Sequence, residues 1–172
     1  VGRGANLLLN LPPDRRGLIH ENDIASLKEF RRILDATFAR DLTAGAQINA
    51  EHVRGADDAR YQAENLGDDD AETYWATPDG VPVASVVFTL PEPRTIDVIK
   101  LREHIRLGQR IESFAVDSWD GHGWVEFARG TTVGPRRIIR TERVTTDRLR
   151  LRIESCRGDA VVLADFSAYC RP

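Results

Sequence analysis

The sequence predicts a mainly β protein: an antiparallel β-sandwich over residues 42–172, preceded by one strand and one amphipathic helix within residues 1–41. Three observations lead there. Arg148-Leu149-Arg150-Leu151-Arg152-Ile153 alternates arginine with hydrocarbon, the period of a strand with one face in a core. Asp120-Gly121-His122-Gly123 separates two strand-like stretches as a hairpin connection does. Helical periodicity occurs only in residues 21–40. With 172 residues, 41% of them hydrophobic and 30% charged, the chain can bury one core but not two full domains.

The elements follow in order. Asn6-Leu7-Leu8-Leu9-Asn10-Leu11 is a continuous apolar run stopped by Pro12-Pro13, which predicts a short strand covered on both faces. Ile24, Leu27, Phe30, Ile33, Leu34 and Phe38 then fall on one helical stripe. Glu21 and Asp23 near its start and Arg40 near its end suit the helix dipole. One strand and one helix make no domain by themselves.

From Leu42 onward the pattern is short strands and turns. Thr95 to Glu103 alternates at Ile96, Val98 and Leu101, although Ile99 breaks strict alternation. Ile111 to Trp119, Trp124 to Phe127, Arg148 to Ile153 and Val161 to Tyr169 complete a set of at least six or seven strands. Cys156 and Cys170 fall too far apart on such strands to form a disulfide, and they have no ligand-spaced partners. Methionine is absent, so the chain is expected to be an excerpt or a processed product.

Charge narrows the function classes. No apolar run approaches the ~20 residues that cross a bilayer as a helix, so no membrane span is expected. Arg136, Arg137, Arg140, Arg143, Arg148, Arg150 and Arg152 form a basic stretch. Glu142, Asp147 and Glu154 are interspersed, and the net charge is −3, which argues against a nucleic-acid partner. Residues 41–80 are acidic by contrast, culminating in Asp68-Asp69-Asp70.

Two stretches carry a family resemblance. Asn6 to Asp14 followed by Gly17-Leu18-Ile19 resembles the closing strand and turn of the family 29 α-L-fucosidase barrel. Glu103 through Leu107-Gly108-Gln109-Arg110-Ile111, continuing to Gly130-Thr131-Thr132-Val133-Gly134, resembles the region after that barrel. That region is a galactose-binding, discoidin-like jelly roll, also called an F5/8 type C domain and related to carbohydrate-binding module family 32. Asp68-Asp69-Asp70-Ala71-Glu72-Thr73-Tyr74-Trp75 is similar to the acidic loop of such sandwiches, with Asp69 in place of the usual glycine and Asp165 where glutamate is usual.

The resemblance implies that residues 1–41 are the last strand and helix of a (β/α) catalytic barrel and that 42–172 are the sandwich. The parent would be a retaining glycosidase releasing L-fucose, whose catalytic Asp/Glu pair lies upstream. No catalytic residue is therefore expected in this chain, which alone should be inactive. Secretion or a periplasmic location is implied by the family only. The alternatives are an independent carbohydrate-binding module and a discoidin-type cell-surface adhesion module.

Two sites are expected. A structural Ca²⁺ would take Asp68, Asp70 and Thr73 from the acidic loop and Asp165 from the last strand, since calcium needs six to eight oxygens; the alternative is a solvated acidic turn. Fucosylated or galactosylated glycans would meet Glu103, His104, Arg106 and Arg110 around the Gly108 turn, with Trp119 as a stacking platform. Arg110 could equally brace the sandwich against the upstream barrel. Trp75 and Trp124 are expected in the core. His20, His52 and His122 carry no ligand spacing.

Overall fold

The computed structural model describes residues 7–56, 58–70 and 72–172. Among the described residues there are one α-helix, α1 (Glu21–Phe38), three short 3-10 turns, and eight strands: β1 (Gln47–Ala50), β2 (Trp75–Ala76), β3 (Ala84–Arg102), β4 (Ile111–Trp119), β5 (Trp124–Gly130), β6 (Arg137–Cys156), β7 (Val162–Leu163) and β8 (Asp165–Tyr169). Every pairing among named strands is antiparallel.

Two long strands organise the sandwich. β3 and β6 pair along most of their length, and the register shifts between Thr89 and Arg94 and again between Ile96 and Val98. Before the first shift, the ribbon belongs to a five-stranded layer in the order β1-β3-β6-β4-β5. After it, β8 pairs with β3 and completes a three-stranded layer. The apolar alternation of each strand sends Ile48, Val86, Phe88, Leu149, Leu151, Phe114 and Val116 inward from the first layer. They meet Ile96, Ile99, Leu101, Phe166 and Ala168 from the second. Phe88 stacks on Phe166 at 4.3 Å between the layers, and Trp75 closes the core with no exposed surface.

The second shift explains why Ile99 breaks alternation. There Asp97 alone on β3 stands opposite three residues of β6, Thr141 to Arg143, and the alternation of β3 is broken, so Ile96, Ile99 and Leu101 are all buried in the core. Asp97, at the bulge, is also buried; its carboxylate accepts from the Arg171 backbone N–H and from the Arg143 and Arg171 guanidinium groups, pinning the end of the chain.

Helix α1 forms as predicted, with His20 as its N-cap: the imidazole Nδ1 accepts from the Asn22 N–H at 3.2 Å. It touches the sandwich at its C-terminal end, where Phe38 meets Tyr169 edge-on at 4.9 Å. Ile24, Phe30 and Ile33 stay exposed.

The predicted strand over 6–11 is corrected: residues 7–11 adopt no regular structure and Leu7, Leu8 and Leu9 are exposed, while Asn6 lies outside the described residues. A strand needs a neighbour for its N–H and C=O groups, and no strand is paired to this segment among the described residues. Trp124 is also corrected from core to half-buried, because β5 is the edge of its layer. Both cysteines are free thiols. Burial pushes the Cys156 thiol up to about 11. No described helix is long and apolar enough to cross a membrane.

Candidate functional site

The loop between β3 and β4 is built around Glu103. Its side chain is buried at the end of β3, where Oε1 accepts the N–H groups of Arg110 (2.6 Å) and Ile111 (2.8 Å) and Oε2 accepts that of Gly134 (2.5 Å). Three backbone donors use both oxygens, so Glu103 holds the loop and does not reach into solvent. The chain turns at Gly108, whose φ of +91° is strained for any residue with a Cβ. The turn aims the Arg110 side chain back over the loop, where Nε donates to the Leu107 carbonyl at 3.0 Å.

A cleft of about 220 Å³ opens beside this turn. Arg54, Tyr61, Tyr74, Asp79, Leu107 and Arg110 line it, together with the small apolar side chains of Ala160 and Val162. Its aromatic residues are in contact: Tyr61 lies 5.5 Å from Tyr74 at a tilt of 54°, and Tyr74 in turn stacks on the His104 imidazole at 4.5 Å and 29°. Burial pushes the Tyr74 phenol above its ordinary range. Arg54 pairs with Asp79, donates to the Thr77 carbonyl and lies 5.9 Å from the Tyr61 ring. The cleft thus offers guanidinium donors, a carboxylate acceptor and aromatic surface, the groups that recognise a polyhydroxylated ring.

The predicted sugar residues do not all assemble here. Arg110 lines the cleft and His104 stacks behind its wall. Glu103 is structural, and Arg106, at the surface, is bound to Glu72. Trp119 lies at the far end of β4, about 26 Å along the strand from Ile111, because eight residues separate them. It is half-buried against Trp124, with the Arg148 guanidinium 4.7 Å over its ring. It cannot be a platform for a ligand at Arg110. Arg54, Tyr61, Tyr74 and Asp79 were missed; the mixture of arginine and tyrosine in the non-periodic stretch 54–61 is a signal for Arg54 and Tyr61, and Tyr74 and Asp79 have no comparable one.

The C-terminal part of the basic stretch is paired with acids within the fold. Arg150 and Arg152 both donate to the buried Asp117 carboxylate, at 2.7 and 2.8 Å. Arg152 also reaches Glu126 and Glu154.

The acidic loop folds on its own polar groups. Asp68 accepts the Asp70 N–H at 2.8 Å and the Thr73 hydroxyl at 2.6 Å, and Asp70 accepts the Glu72 N–H at 2.9 Å. Asp165 lines a cavity with Asp69 of this loop, but it is buried on β8, where its carboxylate accepts from Ser167 at 2.9 Å and pairs with Lys100 at 3.4 Å. Burial pushes the Asp165 carboxyl above its usual range, against the pull of Lys100. Desolvation lowers Lys100, but Asp165, Tyr169 and Asp69 more than offset it. Among the described residues, no three His, Cys, Asp or Glu side chains are gathered as a metal would need.

No family model matches the chain. An α-L-fucosidase of Arabidopsis thaliana is 32% identical over 165 residues, which are 94% of this chain and 33% of that protein. The chain spans about a third of the length of the curated relatives it matches. A GH29 fucosidase of Ruminococcus gnavus, solved in complex with fucose, superposes with a TM-score of 0.90 at 31% identity, covering 99% of this chain and 34% of that one. A CBM32 module of Clostridium perfringens, solved with GalNAc-β-1,3-galactose, shares the fold alone: TM-score 0.68 at 14% identity, over 76% of this chain and 100% of that module. By sequence and by fold, the chain is a relative of the C-terminal region of family 29 α-L-fucosidases.

Proposed function

We propose that this chain is the accessory, carbohydrate-binding-like sandwich of a longer glycoside hydrolase, an α-L-fucosidase, and that its cleft holds one sugar of a fucosylated or galactosylated glycan. The observation that carries this reading is the convergence of Arg54, Asp79 and Arg110 on the Tyr61–Tyr74 wall, at the loop end of a galactose-binding-like fold. The cleft has room for one ring, with the remaining glycan outside it. Calorimetric titration with fucosylated and galactosylated oligosaccharides tests the reading: saturable heat at millimolar or tighter concentration is expected, and silence with every glycan defeats it.

Hydrolysis belongs to residues outside this chain in the same reading. A retaining glycosidase needs two carboxyl groups ~5 Å apart, one of them free to attack. Here Glu103 is spent on three N–H groups and Asp165 is paired with Lys100. The 172 residues alone should leave an aryl α-L-fucoside intact. Secretion or periplasmic placement follows from this assignment and from nothing else in the fold.

Bracing of a catalytic barrel in the same polypeptide is favoured by α1, whose Ile24, Phe30 and Ile33 remain 39–44% exposed on the apolar stripe. Removing residues 42–172 from the longer enzyme should then lower its turnover of the aryl fucoside as well as its glycan affinity. Loss of affinity alone would leave the cleft as the sole contribution.

Calcium fits the acidic loop poorly as it is built. The Asp68 and Asp70 carboxylates already serve the loop's own N–H and hydroxyl groups, and Asp165 faces an ammonium.

A further inference from the structure

Asp165 is a buried carboxylate whose Oδ2 makes no hydrogen bond, yet Lys100 Nζ lies 3.4 Å from that oxygen. The two are placed by the β3–β8 ladder. Lys100 is opposite Ser167, and Asp165 is two residues from Ser167, so all three side chains share the face turned away from the core. Both are withdrawn from water, with side-chain exposures of 19% for Lys100 and 3% for Asp165. Asp69 lines the same cleft as Lys100 and adds its negative charge, and the Tyr169 ring lies 5.7 Å from the ammonium. One step along the same face, Arg102 donates to the backbone carbonyl of Asp70 at 3.3 Å. A loop carbonyl and the last-strand carboxylate, two of the oxygens a calcium ion would take here, are thus already directed at cations of β3.

We propose that Lys100 fills, from within the chain, the cationic position that the resemblance assigns to calcium, with Arg102 beside it, so that the order of the acidic loop does not depend on a metal. The chemistry is consistent. An ammonium carries three donors and one charge and is satisfied by few acceptors, whereas calcium demands six to eight oxygens. A divalent ion placed against Asp165 would also stand beside a fixed ammonium and be repelled by it.

The test is thermal unfolding of the chain in millimolar calcium chloride and in chelator, together with Lys100→Met, Asp165→Asn and the double variant in chelator. The wild-type melting temperature should agree within roughly 1 °C between the two conditions. Each single variant should melt at least ~4 °C lower, and the double variant no lower than the weaker single, because both changes remove one interaction. A rise of more than ~4 °C with calcium in the wild type overturns the proposal, as does a double variant that loses the sum of the two singles. Should Lys100→Met not fold, the wild-type response to calcium decides alone.

Discussion

Glu103 and Gly134 are bonded to each other twice: the Gly134 N–H donates to the Glu103 carboxylate at 2.5 Å, and the Gly134 carbonyl accepts the Glu103 N–H at 2.9 Å. This reciprocal clasp ties the loop after β3 to the connection between β5 and β6. It also fixes Arg110, whose own N–H shares the carboxylate.

Glu103→Ala therefore strands three buried N–H groups, and a loss of about 3–5 kcal/mol is expected by urea unfolding. Glu103→Gln keeps one oxygen and should lose less, about 1–2 kcal/mol. Equal losses for the two variants would mean that the carboxylate serves as a volume filler and not as an acceptor.

Arg110 and Trp119 separate the two predicted parts of a sugar site. Arg110→Ala should weaken any glycan titration at least about tenfold, the loss of one charged hydrogen bond. Trp119→Ala should leave it within about twofold, since the ring stands at the other end of β4. A reversed order would move the site to the β4–β5 hairpin.

Asp97 makes stability depend on pH with a defined sign. Burial works to raise its pKa, but the Arg171 N–H and the Arg143 and Arg171 guanidinium groups prevail and hold it below the ordinary 3.8. A lowered folded value contributes stability above 3.8 that is lost as pH falls through the folded value. Asp97→Asn should accordingly cost about 3 kcal/mol at neutral pH. Its deficit against the wild type should shrink as the pH drops below about 4 in parallel urea titrations, and a constant deficit would refute the linkage.

Gly130 is a packing requirement. A Cβ there would lie 2.6 and 2.8 Å from the Phe114 ring and 3.1 Å from Ile139. Phe114 is fully buried and cannot retreat, so Gly130→Ala should cost about 1–3 kcal/mol. Differential scanning calorimetry would show the loss directly; an unchanged melting temperature would mean that the β4–β5 edge yields.

The sandwich was legible because period-2 patterns are local: Leu149, Leu151 and Ile153 declare the inward face of β6 without reference to any partner. β3 was harder to read. Val87 beside Val86 and Phe88 hides the alternation at the start of β3, and the bulge at Asp97 reverses it later. The 6–11 run shows the opposite failure, since a continuous apolar stretch states a preference for burial but cannot provide the neighbour that would satisfy it.

The site was half legible. Arg110 and His104 flank a turn that glycine announces, so sequence proximity brought them together. Tyr61 and Tyr74 join them only through the third dimension, by a loop that the Trp75 indole N–H anchors to the His52 carbonyl at 2.8 Å. Asp165 was grouped with the acidic loop by analogy of position and does line a cavity with Asp69, but the lysine that the β3–β8 register sets beside it on the same face is invisible in the sequence.

The passage of β3 and β6 through both layers has a consequence for how this molecule can come apart. In a sandwich whose layers are separate sheets, one layer can peel from the other with its ladders intact. Here the two longest strands are common property. Lifting the three-stranded layer away must tear or sharply bend the ribbon near Thr89–Arg94, and the damage propagates into the five-stranded side. Amide protons of Val86, Leu101, Leu149 and Ile139 should then exchange with solvent in one concerted opening, so that the loop end bearing Arg110 stays rigid until the whole domain gives way.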